Sequence, residues 1–117
     1  IDIGQIEGGF IQGLGWLTCE ELYFSQEGKL LTTGPSTYKL PGSRDVPPIF
    51  NVKLLENADN EEKTIFRSKA VGEPPLLLAI SHFLALKEAI KASSKSSKPE
   101  LLNSPATPSE ILKAIYA

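Results

Sequence analysis

Lys69-Ala70-Val71-Gly72-Glu73-Pro74-Pro75 leads straight into Leu76-Leu77-Leu78-Ala79-Ile80-Ser81-His82-Phe83-Leu84. The second part is apolar nearly all round, which predicts a helix from Pro74 to about residue 92 that is buried in the whole protein. Lys87, Glu88 and Lys91 bring its far half out toward solvent. Two prolines suit a first helical turn, where their missing N–H groups have no intrahelical partner to lose. Proline at 74 predicts extended backbone at Glu73, and Gly72 permits a sharp turn just before it. Glu73 is therefore a carboxylate with little local freedom at the mouth of a helix. The positive end of the helix dipole favours its charged form, and burial favours its neutral form. A general base working near neutral pH needs both influences. The plainer reading stands beside this one: Glu73 caps a helix or pairs with Lys69.

Upstream, Ile6, Phe10, Leu14 and Leu17 recur at helical spacing and predict a helix over residues 4–18. Gly4, Gly8, Gly9, Gly13 and Gly15 oppose it, since each interior glycine costs roughly 1 kcal/mol of helix stability. So many glycines imply close approach of something bulky, either another backbone or a bound cofactor. Residues 20–24 and 29–33 predict a hairpin around Ser25-Gln26-Glu27-Gly28. Residues 34–48 form an irregular loop. Residues 49–55 alternate, with Phe50, Val52 and Leu54 on one face, which predicts a half-buried strand, and 65–68 predicts a short one. Thr107-Pro108-Ser109-Glu110 is a capping box opening a final helix. The expected class is α+β: a mixed small sheet with a Gly-rich N-terminal helix, a long buried helix and a short C-terminal helix. The expected organisation is a domain portion over 1–92, a Ser/Lys linker over 93–100 and a C-terminal capping helix over 101–117.

The 117 residues carry a formal net charge of -2 with mixed signs, which predicts no nucleic-acid groove and no membrane patch. The basic cluster Lys91, Lys95 and Lys98 is spaced by serines and reads as solvated linker. A lone cysteine, Cys19, excludes an internal disulfide and a cysteine-built metal site. It agrees with a reducing, cytoplasmic setting. The chain contains no Met and opens inside a pattern, so it reads as the C-terminal piece of a longer polypeptide.

Val71-Gly72-Glu73-Pro74-Pro75 resembles the Gly-Glu-Pro active-site segment of the xanthine dehydrogenase and aldehyde oxidase family of molybdenum hydroxylases. Gly4-Gln5-Ile6-Glu7-Gly8-Gly9-Phe10 resembles that family's Gly-Gln-x-Glu-Gly helix beside molybdopterin. Gly34-Pro35-Ser36-Thr37-Tyr38-Lys39-Leu40-Pro41 and Asn103-Ser104-Pro105-Ala106-Thr107-Pro108 resemble two further segments, in the family's order. Together the motifs cover essentially the whole chain, and their order makes the signal specific. The resemblance favours the molybdenum-binding subunit of the xanthine dehydrogenase branch, especially bacterial forms with separate subunits.

The resemblance implies a fragment of a larger molybdenum-cofactor-binding domain, active only within the intact enzyme. Its substrates would be purines, with hypoxanthine and xanthine going to urate. Aldehydes or other heteroaromatics are the alternative, and a non-catalytic split fragment used only for assembly and packing is another. It implies that Glu73 is the general base on the molybdenum-bound hydroxyl, that Gln5 hydrogen-bonds the pterin, and that Gly4, Gly8 and Gly72 permit close approach. The metal would be held by the cofactor, with no protein ligand. Iron–sulfur clusters and FAD would lie elsewhere, and the partners would be the upstream part of the molybdenum subunit and the iron–sulfur/FAD domains.

Other side chains read as structural. Glu7 suits an ion pair, and Gln12 a buried amide satisfied by backbone. Lys39 and Arg44 suit a charged surface, with a substrate channel as the alternative. Tyr38 suits a packed ring with a bonded hydroxyl. His82 has no second ligand nearby, and Cys19 has no local activating base.

Overall fold

A computed structural model describes residues 1–93 and 96–117. Helix α1 spans Asp2–Thr18, α2 spans Pro74–Leu77, α3 spans Ile80–Ser93 and α4 spans Pro108–Tyr116. Short 3-10 turns occupy Ile65–Arg67 and Pro99–Leu101.

The apolar stripe places α1 where the sequence predicts it, glycines included. Three of those glycines mark where the chain presses on itself. A Cβ built on Gly9 would lie 3.1 Å from Pro75 Cβ, and one on Gly13 would lie 2.2 Å from the Leu76 carbonyl oxygen. One on Gly15 would meet Pro41 and the Glu20 carboxylate at 2.5 Å. Contacts closer than about 3 Å are unavailable to a real side chain, so α1 docks on α2 through bare backbone.

The predicted long helix is interrupted. Ala79 N–H donates to Leu76 O at 3.1 Å and Ser81 N–H to Leu78 O at 3.1 Å. These i→i+3 bonds tighten the chain between α2 and α3, at the point where Gly13 meets Leu76 and Ala79. Nor is the helix buried within this chain: Leu77 is 66% exposed and Leu78 62%. Its apolar circumference predicts burial, but no element of the described residues covers that face.

The expected small sheet is absent from the described residues. The hairpin reduces to one antiparallel bridge, Phe24 with Leu30, closed by Ser25 N–H on Lys29 O at 2.9 Å and by Gly28 in the left-handed region at φ +79°. Residues 49–55 form no ladder. Phe50 instead lays its ring against Phe10 at 5.5 Å between centroids. Residues 65–68 are no strand either: Phe66 and Arg67 take φ +51° and +54°, which ends extended structure. Alternation marks which side chains want cover, but a ladder also needs a neighbouring strand to exchange hydrogen bonds with.

The C-terminal end is built conventionally. Ile90, Leu102, Ala106 and Ala114 form a buried cluster, flanked by Phe83, Leu86, Ile111 and Ile115. Thr107 Oγ1 accepts from Glu110 N–H at 3.4 Å, as the capping box requires. The Glu110 carboxylate turns away from the cap toward Asn103 and Lys113. Lys98 N–H donates to Ala114 O, and Ala106 N–H donates to Leu17 O, both at 2.7 Å. The second bond ties this end to α1. Residues 94 and 95, part of the expected Ser/Lys linker, lie outside the described residues.

The chain is open in shape. Its radius of gyration is 18.0 Å, against about 13 Å for a compact domain of this size. It exposes 9251 Å², where a compact monomer of its mass would expose about 6,200 Å².

Candidate cofactor cradle and carboxylate elbow

The site expected from sequence combines Gly4, Gln5 and Gly8 on α1 with Gly72 and Glu73 before α2. The structure brings these to one end of the molecule. The segment leading to α2 runs beside α1 in the same direction. Ser68 meets Asp2 at its start, Pro75 meets Gly9, and Leu76 and Ala79 meet Gly13. Glu73 is thus bracketed by contacts at Asp2 and Gly9 of α1, and Gly4, Gln5 and Gly8 lie between these two residues along the helix.

The glycines of α1 divide into two sets. Gly9, Gly13 and Gly15 touch the chain itself, whereas Cβ atoms on Gly4 and Gly8 would find nothing within 4 Å. Ile1, Gly4, Gln5, Gly8, Gln12 and Trp16 are all exposed, and their spacing sets them along one stripe of the helix. Gln12 therefore belongs to this open face and is not the buried amide the sequence suggests. The reason is angular: four residues after Gly8, it returns to the same side. Glu7 is half-buried and takes part in no ion pair among the described residues.

Gly72 sits at φ +66°, the left-handed conformation that glycine supplies without strain. Glu73 follows at φ -96°, ψ -12°. This corrects the extended conformation expected before proline. Glu73 O accepts from Leu76 N–H at 2.9 Å, so the residue has joined the helical turn, and that hydrogen bond offsets the crowding from Pro74. Its carboxylate is exposed and caps no helix amide. A cap is therefore not what this side chain provides, and no ion pair joins it to Lys69 among the described residues.

The secondary candidates are placed as follows. Tyr38 Oη donates to Glu20 Oε2 at 2.6 Å, and that bond holds the phenol above its usual range. Glu20 also lies against Gly15, so the pair fastens the loop over residues 34–41 to the end of α1. Burial pushes the Cys19 thiol up, and its Sγ lies 3.8 Å from Lys39 O, an environment that disfavours the nucleophilic thiolate. Lys39 and Arg44 are exposed and, with His82 and Cys19, line a cavity of about 760 Å³. No group of three or more His, Cys, Asp or Glu is placed to hold a metal among the described residues. No helix among them is long and apolar enough to cross a membrane.

Sequence reasoning missed the contact between Asp2 and Ser68. Ser68 Oγ donates to Asp2 Oδ2 at 2.8 Å across 66 residues of chain. No local pattern announces such a pair. The one available sign is that each partner lies beside a motif, Asp2 before Gly4-Gln5 and Ser68 before Gly72-Glu73.

Comparison with known proteins bears on the same elements. Residues 1–47 match the family model described as "Molybdopterin cofactor-binding domain". The chain is 54% identical to the "Xanthine dehydrogenase/oxidase" of Felis catus over 97% of its length, covering 9% of that protein. It is 56% identical to the "Xanthine dehydrogenase" of Drosophila subobscura over 80% of its length, covering 7%. It is 49% identical to "Xanthine dehydrogenase 2" of Arabidopsis thaliana over 99%, covering 9%. The chain thus spans less than a tenth of the length of these relatives, while 80–99% of the chain itself is matched. Its open shape agrees with a segment whose neighbours complete the fold. On identity of this extent, the chain belongs to the xanthine dehydrogenase family.

Proposed function

We propose that this chain forms one wall of the molybdopterin site in a molybdenum hydroxylase acting on purines, hypoxanthine and xanthine being carried to urate. The observation that carries the reading is the open stripe of α1, where Gly4 and Gly8 leave room around an exposed Gln5 on the helix along which the segment of Gly72 and Glu73 packs. Two glycines with empty space over them are unexplained by the packing of this chain, although each weakens its helix. A flat group lying along the backbone gives them a use. Gln5 offers that group both a donor and an acceptor. The residues therefore fit a pterin cofactor.

When bound, the cofactor supplies the oxidation chemistry of the hydroxylation, and the protein supplies position and electrostatics. Gly4 and Gly8 let α1 approach closely, and Gln5 fixes the cofactor by its amide. Gly72 turns the chain so that Glu73 follows on a rigid proline-headed turn. The Glu73 carboxylate then accepts, at a side-chain oxygen, the proton released on hydroxylation. Iron–sulfur and FAD groups in other parts of the intact enzyme would carry the electrons onward.

Replacing Glu73 in the holoenzyme that carries this segment tests the base. Glu73→Gln keeps the shape and removes the proton acceptor, and should lower xanthine turnover by about 10³-fold with molybdopterin content near normal. Turnover within a few-fold of the parent would end the assignment. Gln5→Ala should instead reduce molybdopterin content. Parallel assays with xanthine and an aldehyde decide between a purine and an aldehyde hydroxylase. The apolar face over Leu77, Leu78 and Ile80 favours a second reading, a segment retained only for packing. In that case both variants would leave turnover and cofactor content unchanged.

A further inference from the structure

We propose that the Asp2–Ser68 hydrogen bond is a positioning contact that sets the Glu73 carboxylate relative to the Gln5 face of α1. The inference rests on the reading of Glu73 as the base and names two residues that would hold it in place.

Glu73 itself is exposed and its side chain caps nothing. Its location is therefore fixed by backbone on either side. On the C-terminal side the fixing is steric, with Pro75 on Gly9 and Leu76 against Gly13. On the N-terminal side, residues 69–73 have no helix or strand to hold them. There the anchor is Ser68. Its hydroxyl donates to Asp2 Oδ2 at 2.8 Å, and its carbonyl accepts from Thr64 Oγ1 at 2.7 Å. Thr64 Oγ1 in turn accepts from Nδ2 of the buried Asn60 at 3.1 Å. Arg67 closes the loop by donating from Nη1 to Asn60 O at 3.1 Å. A continuous run of hydrogen bonds thus joins Asn60, Thr64, Ser68 and Asp2, and such runs stiffen one another.

The backbone entering Ser68 is strained. Phe66 and Arg67 are consecutive non-glycine residues at positive φ, a conformation that persists only where surroundings enforce it. The network supplies that enforcement. A plain alternative exists for Asp2 alone, because an acid in a first helical turn is stabilised by the helix dipole. That alternative gives no role to Ser68, whose remaining option is the Lys69 carbonyl oxygen at 3.4 Å. Asp2 is in the same helical turn as Gln5, whose N–H bonds to Ile1 O. The contact therefore links the start of the Glu73 segment to the turn presenting Gln5.

The test uses the intact holoenzyme, with Ser68→Ala, Asp2→Ala, Asp2→Asn, the Ser68→Ala/Asp2→Ala double variant, and Glu73→Gln in parallel. Displacing a catalytic group by a fraction of an ångström to an ångström costs roughly ten- to a hundredfold in rate. Ser68→Ala and Asp2→Ala should each lower kcat about tenfold at nearly constant KM, with unchanged molybdopterin content and thermal midpoint. Asp2→Asn should recover most of the rate, because its Oδ1 still accepts from Ser68. The double variant should be no worse than either single one. Losses that track molybdopterin content or thermal midpoint would overturn the proposal, since the contact would then only hold the fold. Parental kcat in Ser68→Ala and Asp2→Ala alongside an inactive Glu73→Gln would also overturn it, leaving the base assignment standing. A fully active Glu73→Gln would remove both.

Discussion

The two ends of this molecule are held together by different physics. Around α3 and α4, side chains do the work: Ile90, Leu102, Ala106 and Ala114 are almost fully buried, and a threonine cap opens the last helix. Around α1 and α2, side chains are largely absent from the contact. Gly9 and Gly13 let backbone meet Pro75 and the Leu76 carbonyl directly, while Leu77, Leu78 and Ile80 stay exposed. The C-terminal end satisfies itself. The N-terminal end is shaped for what lies beyond it. On the proposed reading, a region that holds a cofactor close to its backbone gives up ordinary core packing there, and glycine is the residue that makes the exchange possible.

The sharpest way to break the comparison is Gly13→Ala. Its Cβ would lie 2.2 Å from a backbone carbonyl and 2.8 Å from Ala79 Cβ, so neither obstacle can move as a flexible side chain would. The expected loss is about 3 kcal/mol, at the upper end for overpacking. Trp16, the single tryptophan, lies on α1, and its fluorescence in a denaturant titration reads this end of the molecule. An unchanged midpoint would mean that α1 and α2 are not in backbone contact.

Leu102→Ala probes the other end. Leu102 is 4% exposed, and truncation of a buried leucine costs 2 kcal/mol or somewhat more, roughly the lower end of the usual range in a cluster small enough to collapse. Hydrogen exchange should quicken chiefly in α4 and the second half of α3. Equal loss of protection across α1 would show that the two ends unfold as one unit.

The same contrast explains what was legible in the sequence. The α1 stripe of Ile6, Phe10, Leu14 and Leu17, and the Thr107-Pro108-Ser109-Glu110 start of α4, are local codes, and both helices form where those codes place them. The glycines announced a close approach without saying of what, and they divide between the chain's own backbone and open space. The strands were misread because alternation records a wish for cover and not the presence of a partner. Residues 49–55 keep Phe50 half-buried on Phe10 yet join no ladder. The break after α2 was hidden because an apolar run looks the same whether its hydrogen bonds are i→i+4 or i→i+3. The conformation of Glu73 escaped a rule about its neighbour Pro74, since a helical hydrogen bond to Leu76 N–H outweighed it. Ser68 and Asp2 were beyond any local reading.

Gly8→Ala sharpens the comparison most finely, because it separates folding from function at one atom. Nothing lies within 4 Å of the added methyl, so it creates no clash, and alanine in a helix interior is favoured over glycine by roughly 0.8–1.0 kcal/mol. Thermal unfolding should therefore shift slightly upward. In the holoenzyme the same methyl would stand on the stripe that carries Gln5, in the space proposed for the cofactor. Molybdopterin content or turnover should fall while the segment itself becomes more stable. A variant improved in both respects would show that the open face of α1 has no flat ligand against it. A variant more stable yet depleted in cofactor would show that the glycine is kept there against the interest of the helix.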